Sequence, residues 1–362
     1  MRSTYHRIRA ALPIVAASAA AMLLCAGSAR ASDLIIAGAG DGHGVGMSQD
    51  GALGYAERGW SYQAILAHYY TGTTIGTAPV GAHVRVLIAG KVHTIALESY
   101  VRGVVSAEVP ASWPLAALEA QAVASRTYAL TAHAGGSKFD VYADTRSQVY
   151  RGVAAETPQT DTAVAATAGQ IVTYEGSPAI TYFFASSGGR TENVANAFPG
   201  SQPEPWLRGV LDPYDRGPLH TWKLTIPFAS AAARLRPLVR GSFQGVEVLK
   251  RGYSPRILSA YVLGSSGRTR ISGSELAARL GLYDTWAYFS VREGQSVKPE
   301  PDRSGSAALG LSATTEPSSA TGPSTPAPPA PGGSQGGVQA SERVEGSTAS
   351  SAGGGGGTPG PA

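Results

Sequence analysis

Cysteine is almost absent from this chain of 362 residues, in which Cys25 is the only one. Charge is also sparse, since Asp, Glu, Lys and Arg together make up 15% of the residues. The formal net charge of +4 comes from the first 31 residues, which hold four arginines and no acid, so the remainder is close to neutral (+4 − 4 = 0). These scarcities exclude a disulfide-stapled fold and offer no basic patch for nucleic acid.

The first 31 residues have the pattern of a secretory signal. Arg2, Arg7 and Arg9 precede an apolar run over 10–26, and a small-x-small sequence, Ala-Arg-Ala, follows it. We therefore predict that 1–31 is a removed signal peptide, with an uncleaved N-terminal anchor as the alternative. A protein without further cysteines that is exported in this way is expected in a bacterial envelope or exterior, with no membrane span once the signal is removed.

The opposite end consists almost entirely of Pro, Gly, Ser, Ala and Thr. Such a composition cannot bury enough apolar surface to offset the entropy of ordering, so 294–362 is predicted to be a disordered tail. It serves either as a spacer at a cell wall or as a tolerated flexible end. The folded part is then 32–293, with a glycine-rich motif and helix over 41–76 and the main part over 80–293.

The pattern of the folded part predicts an α+β class with mostly antiparallel sheets. Apolar residues recur at helical spacing over 62–69, and residues alternate over 84–96 as in a hairpin. Two helices, 98–108 and 113–131, form a hairpin around Pro110. Further elements are expected as strands at 169–175, 179–185, 222–226, 245–250 and 256–263, a short helix near 272–282, and a closing strand. No glycine loop follows a strand as a nucleotide site requires, and we expect no cofactor.

Glu108 is the candidate for chemistry. It continues the apolar stripe of the first helix, formed by Leu97, Val101, Val104 and Val105. A carboxyl on a buried face has a raised pKa, as a general acid near neutral pH needs. The alternative is a carboxylate that pairs with an arginine or caps a backbone group. The second helix adds a polar row of Gln121, Ser125 and Tyr128, with Arg126 beside it.

The segments "VVSAEVPASWPLAALEAQAVASRTYAL", "RSQVYRG", "FFASSGGRTENV" and "GHGVGMSQDGALGYAERGW" resemble the motifs of the SpoIID/LytB family of sporulation and cell-wall proteins. The resemblance implies a lytic transglycosylase, which cleaves peptidoglycan between N-acetylmuramic acid and N-acetylglucosamine and leaves a 1,6-anhydro end. It also implies that Glu108 is the catalytic residue. A single carboxyl is enough for this reaction, because the C6 hydroxyl of the sugar is the nucleophile.

The same resemblance suggests which residues contact the glycan. A neutral glycan calls for hydrogen-bonding groups, and glycine lets a backbone approach a ligand closely. The predicted substrate-binding residues are His43, Ser48, Gln49, Gln121, Arg126, Tyr128, Tyr150, Ser186, Ser187, Gly188 and Gly189. For the two glycine-rich motifs the alternative is a tight turn packed under the site, and Arg126 could equally be the structural partner of a neighbouring acid.

Two features depart from the family pattern. The GHGVGMSQ motif stands first here, whereas we expect it after the SSGG motif, so the domain is predicted to be circularly rearranged, with its termini close together and Gly42–Gly72 beside the strand near 256–263. Some members also carry a zinc-like set of cysteines and histidines before the QVY motif. This chain has only His133 there, with Asp140 and Asp144 spaced for a turn, and we expect no metal.

Four functions are consistent with the sequence. The first is a secreted transglycosylase with Glu108 as general acid and base. The second is a glycan-binding module or an activator of a wall amidase. A hydrolase is third, because no convincing second carboxylate is evident: Glu98 and Glu119 are expected to be surface-facing or structural. A structural surface protein is fourth.

Overall fold

A computed structural model describes residues 32–292 of the chain. The predicted signal peptide and the predicted disordered tail lie outside this range, as does residue 293 of the predicted domain. Between residues 32 and 292, no helix combines the length and the apolar character that crossing a membrane requires.

The helices comprise the predicted hairpin and several shorter elements. They are α1 (Gln49–Ala56), α2 (Tyr62–Tyr69), α3 (Leu97–Glu108), α4 (Leu115–Thr131), α5 (Pro158–Ala166), α6 (Val194–Ala197), α7 (Phe228–Arg234) and α8 (Gly273–Leu280). α2, α3, α4 and α8 stand where the periodicity of the sequence predicts them.

The strands are mostly short. They are β1 (Asp33–Ala39), β2 (Met47–Ser48), β3 (Thr74–Thr77), β4 (His83–Ile88), β5 (Lys91–Ala96), β6 (Val141–Tyr142), β7 (Gln170–Tyr174), β8 (Ser177–Pro178), β9 (Phe183–Phe184), β10 (Thr221–Pro227), β11 (Phe243–Arg251), β12 (Ile257–Gly264), β13 (Gly267–Ser272) and β14 (Ala287–Arg292).

These strands form five small sheets, ordered β10-β1-β14, β11-β12-β13, β2-β9, β3-β7-β8 and β5-β4-β6. Within the described residues the pairs β2–β9 and β4–β6 run parallel and the others antiparallel. The predicted α+β class with mostly antiparallel sheets is confirmed.

α4 lies between two of the three hydrophobic cores. One side packs with α1 and α2 through Ala120 and Val123, and another packs with α3 through Leu118 and Ala122. A helix that is apolar on nearly every side is a buried helix, and its many alanines allow neighbouring elements to approach closely. Glu108 at the end of α3 is therefore held by a rigid framework.

α1 was not predicted, because its sequence contains two glycines, which weaken a helix. In the structure the missing side chains make room for neighbours. A Cβ on Gly51 would lie 2.0 Å from the Tyr69 hydroxyl oxygen, and a Cβ on Gly54 would lie 2.0 Å from the carbonyl oxygen of Tyr214. The Ser48 hydroxyl caps the helix by accepting from the Gly51 N–H at 3.1 Å. Close packing and the cap thus override local propensity.

The predicted strand over 179–185 was mostly wrong, since only Phe183–Phe184 forms a strand, paired with β2. The backbone before it is bonded to other partners. The carbonyl oxygen of Ile180 accepts from the Trp206 indole N–H, and that of Tyr182 accepts from the Met47 N–H and the Tyr70 hydroxyl. Alternation cannot reveal such partners, which are distant in the chain.

The third core joins both ends of the described range. β1 is the central strand between β10 and β14, and Asp33 stands opposite Arg292. The glycine-rich motif lies beside the residue that precedes β12, because a Cβ on Gly44 would lie 2.5 Å from the Arg256 guanidinium. Arg256 in turn forms a buried ion pair with Asp284. The termini of the domain are adjacent, while the circular rearrangement itself stays a prediction.

Candidate active site

Glu108 is the last residue of α3, and its carboxylate is held from two sides. The backbone N–H of Val149 donates to Oε1 at 2.5 Å, and the side-chain amide of Gln49 donates to Oε2 at 3.2 Å. After Glu108 the chain turns to an extended Val109 before Pro110, so the helix cannot continue. Three of the quoted segments, those that contain Glu108, Val149 and Gln49, therefore converge on one carboxyl.

Burial raises the pKa of Glu108 above that of an ordinary glutamate. The Val149 N–H, the Gln49 amide and the positive charge of Arg151 oppose this rise, because each favours the ionised form. The pKa nevertheless remains raised. The carboxyl can therefore hold a proton at a higher pH than a solvated glutamate can, and the two donors fix its orientation.

Glu108 faces a cleft of about 480 Å³. The polar and aromatic residues that line it come from α1, from the end of α3 and the turn after it, and from the segment before β10: Gln49, Asp50, Glu57, Glu108, Trp113, Tyr214 and Arg216. Gly217 and Pro218 complete the wall beside Arg216. A cleft with a desolvated carboxyl at its side is the arrangement that a proton-transfer site needs.

Two of the predicted substrate-binding residues adjoin the carboxyl. Gln49 lines the cleft, and its amide nitrogen also lies 3.5 Å from the side-chain oxygen of Gln121. Gln121 is buried and donates to the Ser125 hydroxyl at 3.0 Å. Gln121 therefore orients Gln49 from behind, and Gln49 is the member of the pair that faces the cleft.

Arg126 is the partner of a neighbouring acid in the structure, and its predicted contact with substrate stays a prediction. Its side chain is 0% exposed and forms two hydrogen bonds of 2.8 Å with the carboxylate of Glu98. It also donates to the carbonyl oxygens of Gln170 and Val164. The guanidinium ties α3 and α4 to β7 and α5, and it lies outside the cleft.

The SSGG motif binds a carboxylate of the same chain. The hydroxyls of Ser186 and Ser187 donate to Asp215 at 2.9–3.0 Å, and the Gly188 N–H donates to it at 2.6 Å. The Gly189 N–H donates to the Ser187 hydroxyl. These four residues were predicted to bind substrate; in the structure their donors are used internally, as in the alternative of a tight turn under the site.

His43 and Ser48 are likewise occupied within the fold instead of facing the cleft. The Nδ1 of His43 accepts from the Val45 N–H at 3.1 Å, and its ring packs against Phe184 and Phe198. Burial, and then the charge of Arg256, lower the pKa of His43 to about 3, so the ring is neutral. Ser48 caps α1 and accepts from the Ser187 N–H at 3.2 Å, which joins the two glycine-rich motifs.

The two predicted tyrosines lie near Glu108 without lining the cleft. Tyr128 is 7% exposed and packs edge-on against Tyr182. Burial raises the pKa of Tyr128 to about 12, and the nearby Glu108 carboxylate adds to the rise. Tyr150 stacks on the buried Tyr100 with ring centroids 5.1 Å apart. Both tyrosines belong to the packing behind the catalytic candidate.

Asp50, Trp113, Tyr214 and Arg216 line the cleft but were missed from the sequence. Asp50 carried a signal, since it is an acid directly after the motif residue Gln49. Tyr214 and Arg216 carried none, because they belong to an irregular segment for which no element was predicted. Burial, with the charges of Asp215 and other acids, raises the pKa of Asp50 to about 7.

The segment considered for a metal forms ion pairs instead. Asp140 accepts from Arg85, and Asp144 accepts from Arg146 at 2.7 Å. From residue 32 to residue 292, no three His, Cys, Asp or Glu side chains are grouped so that they could hold a metal ion.

A family model described as SpoIID, stage II sporulation protein, matches residues 89–174. This range contains α3 with Glu108, all of α4, and Val149, which donates to Glu108. Gln49 and the SSGG motif lie outside it. The matched part therefore supplies the carboxyl and one of its two donors.

Three relatives share parts of the sequence. Stage II sporulation protein D of Bacillus subtilis is 30% identical over 227 residues, which are 58% of this chain and 64% of that protein. The amidase enhancer of B. subtilis is 39% identical over 126 residues, 35% of this chain and 17% of that protein. A protein of Brachyspira hyodysenteriae is 38% identical over 134 residues, 36% of each chain. Each alignment spans less than two thirds of the relative. The chain is thus similar to the SpoIID family over residues 89–174 and to two stage II sporulation D proteins over 58% of its length.

Proposed function

We propose that this protein acts at the bacterial cell wall as a lytic transglycosylase, cleaving peptidoglycan glycan strands between N-acetylmuramic acid and N-acetylglucosamine. The observation that carries the proposal is the carboxyl of Glu108, which is desolvated, oriented by two N–H donors and open to a cleft of about 480 Å³. The similarity of the chain to stage II sporulation protein D supports a role at the cell wall.

The raised pKa of Glu108 suits a general acid. In its protonated form the carboxyl gives its proton to the glycosidic oxygen as the bond to C1 breaks. The Val149 N–H and the Gln49 amide then stabilise the carboxylate that remains. The C6 hydroxyl of the muramic residue bonds to C1 and forms the 1,6-anhydro ring, and its proton passes to a carboxylate in the cleft. Because this nucleophile is already tethered, no activated water is needed.

A second candidate function is glycan binding that assists a wall amidase. The similarity to an amidase enhancer favours it. Trp113 and Tyr214 in the cleft offer aromatic surface on which sugar rings can pack. A binding module, however, has no use for a desolvated carboxyl with a raised pKa, which is why we favour the enzyme. In both cases we place the protein in the envelope or outside the cell.

The test is digestion of intact and of amidase-stripped peptidoglycan with the purified protein and with Glu108→Gln, followed by mass spectrometry. Fragments lighter by one water from the wild type alone support the transglycosylase. Reducing-end fragments indicate hydrolysis instead. If neither protein releases fragments while both sediment with the wall, the binding function is the better account. Thermal unfolding of Glu108→Gln controls for misfolding.

A further inference from the structure

Asp50 lines the same cleft as Glu108 and follows directly after Gln49, the residue that binds Glu108. Its position is fixed by the fold: it lies in the first turn of α1, and its backbone N–H donates to the carbonyl oxygen of Ala185 at 2.9 Å. The structure thus brings a second carboxyl to the site for which the sequence offered only one.

The carboxyl of Asp50 is free to act on a ligand. Over residues 32–292 no group donates a hydrogen bond to it and no cation pairs with it. Space for it is left by Gly217, where a Cβ would lie 1.6 Å from Oδ2 of Asp50. Glu108 differs, since both of its oxygens accept N–H donors. A half-buried carboxyl without donors is costly to keep unless it has a function.

Resting on the function proposed above, we propose that Asp50 is the general base of the same reaction, and that it takes the proton from the C6 hydroxyl of the muramic residue while Glu108 protonates the leaving oxygen. With two carboxyls in one cleft, the acid and base roles need not fall on one group in succession.

The proton balance is complete without another reactant. The bond from C1 to the glycosidic oxygen breaks, and that oxygen receives the proton of Glu108. The C6 oxygen bonds to C1, and the hydroxyl proton passes to the carboxylate of Asp50. One proton has then moved from Glu108 to Asp50, and exchange with solvent restores the starting state.

The surroundings suit this role. The charged groups that act on Asp50 are Asp215, Asp41 and Asp212, while Glu57, Glu108 and Arg216 line the same cleft. Burial, and then the charges of the neighbouring acids, raise the pKa of Asp50 to about 7. A base with a pKa near the working pH is effective, since it is both available and able to accept a proton.

The experiment compares wild type, Glu108→Gln and Asp50→Asn on two substrates. On glycan strands, each variant is expected to lose about 10²–10⁴-fold in rate. The second substrate is the 4-nitrophenyl β-glycoside of N-acetylmuramic acid, whose leaving group needs no protonation. There Glu108→Gln should recover to within about tenfold of wild type, while Asp50→Asn should stay at least about 100-fold slower. Asp50→Ala, with added formate as a substitute base, should regain activity.

Glu275→Gln is the matched control, because Glu275 is also an acid in the first turn of a helix and lies outside the cleft. The proposal is overturned if Asp50→Asn works at the wild-type rate on glycan, or if it recovers on the aryl glycoside as Glu108→Gln does. Failure of formate to restore Asp50→Ala, while that variant keeps wild-type thermal stability, also counts against it. A wild type that forms no anhydro product refutes the proposed function itself.

Discussion

Gln49 donates a hydrogen bond to Glu108 across 3.2 Å, although the two residues are 59 positions apart in the chain. The contact joins the glycine-rich motif before α1 to the end of α3. Since Gln121 holds Gln49 from behind, the donor cannot easily turn away. The protonation of Glu108 thus depends on a segment outside the range that the family model matches.

Gln49→Ala is expected to raise the pKa of Glu108, because it removes a donor that favours the carboxylate. Activity that requires protonated Glu108 should then persist to higher pH. The measurement is the pH dependence of kcat/KM on glycan, in which the alkaline limb should move upwards. An unmoved limb, or one that moves downwards, would contradict the assigned contact. Gln121→Ala, which removes the contact behind Gln49, should shift the limb in the same direction by less.

Asp212→Asn should change how stability depends on pH. Asp212 is 0% exposed, and the hydroxyls of Ser187, Tyr69 and Ser48 beside its carboxyl only partly offset the loss of water. Burial is the main reason that its pKa rises from 3.8 to about 7. The folded state therefore binds this proton more tightly than the unfolded state does, and stability falls as pH rises from about 4 towards 7.

The variant should consequently be more stable than wild type at pH 8, by on the order of a few kcal/mol, with a smaller difference at pH 4. Urea unfolding at both pH values measures this. Part of the slope should survive in the variant, because the pKa values of Asp41 and Asp50 are also raised. If the variant is less stable than wild type by the same amount at both pH values, hydrogen bonds to the Asp212 carboxyl outweigh the cost of its burial, and the prediction is wrong.

Glu98→Gln should destabilise the fold without weakening the affinity for glycan. It leaves the guanidinium of Arg126 buried without its anion, which typically costs about 3 kcal/mol. Glu275→Gln breaks an exposed pair with Arg279 and should cost less than about 0.5 kcal/mol. Urea unfolding and glycan sedimentation are the two measurements. Lost glycan binding in a variant that is fully folded would instead support the predicted substrate role of Arg126.

Gly217→Ala should lower activity through Asp50. The added Cβ would lie 1.6 Å from Oδ2 of Asp50, so this flexible side chain must move. We expect the rate of glycan cleavage to fall at least about tenfold, and urea unfolding measures separately what the variant loses in stability. Gly217→Ala should cost far less activity when it is added to Asp50→Asn than when it is made in the wild type. The reason is that both substitutions act through the carboxyl of Asp50. Additive losses in the double variant would mean that Gly217 acts elsewhere.

The catalytic candidate could be predicted because its signal is local. The apolar stripe of α3 places Glu108 on the buried face, and helical periodicity gives both α3 and α4. Gln49 could be named because it belongs to a motif. These inferences need only the spacing of residues within one element, or a resemblance carried by one short segment.

The rest of the site depends on contacts between distant segments. Asp215, 28 positions after Ser187 in the chain, accepts the hydrogen bonds that the SSGG turn donates. Nothing in the sequence of the turn shows that these donors are already used. Asp50 was overlooked because α1, the helix that positions it, was not predicted. Gly51 and Gly54 give this segment a low helix propensity. Their role is visible only when Tyr69 and Tyr214 are in place. The acids considered for a second carboxyl, Glu98 and Glu119, lie instead on the two helices that periodicity predicts.

The pairing of β1 with β14 also has a mechanical consequence. Asp33 stands opposite Arg292, and their side chains form a salt bridge of 2.7 Å, so both ends of the described domain lie at the same end of one antiparallel pair. A pulling force applied through these two residues would load the inter-strand hydrogen bonds one at a time. The strands would separate in unzipping geometry, from Asp33 towards Gly38. This needs a much lower force than shear geometry, in which all the hydrogen bonds are loaded together. Tension transmitted from both flanking segments would thus release β14 first, at the edge of its sheet, before it reached the helices around Glu108.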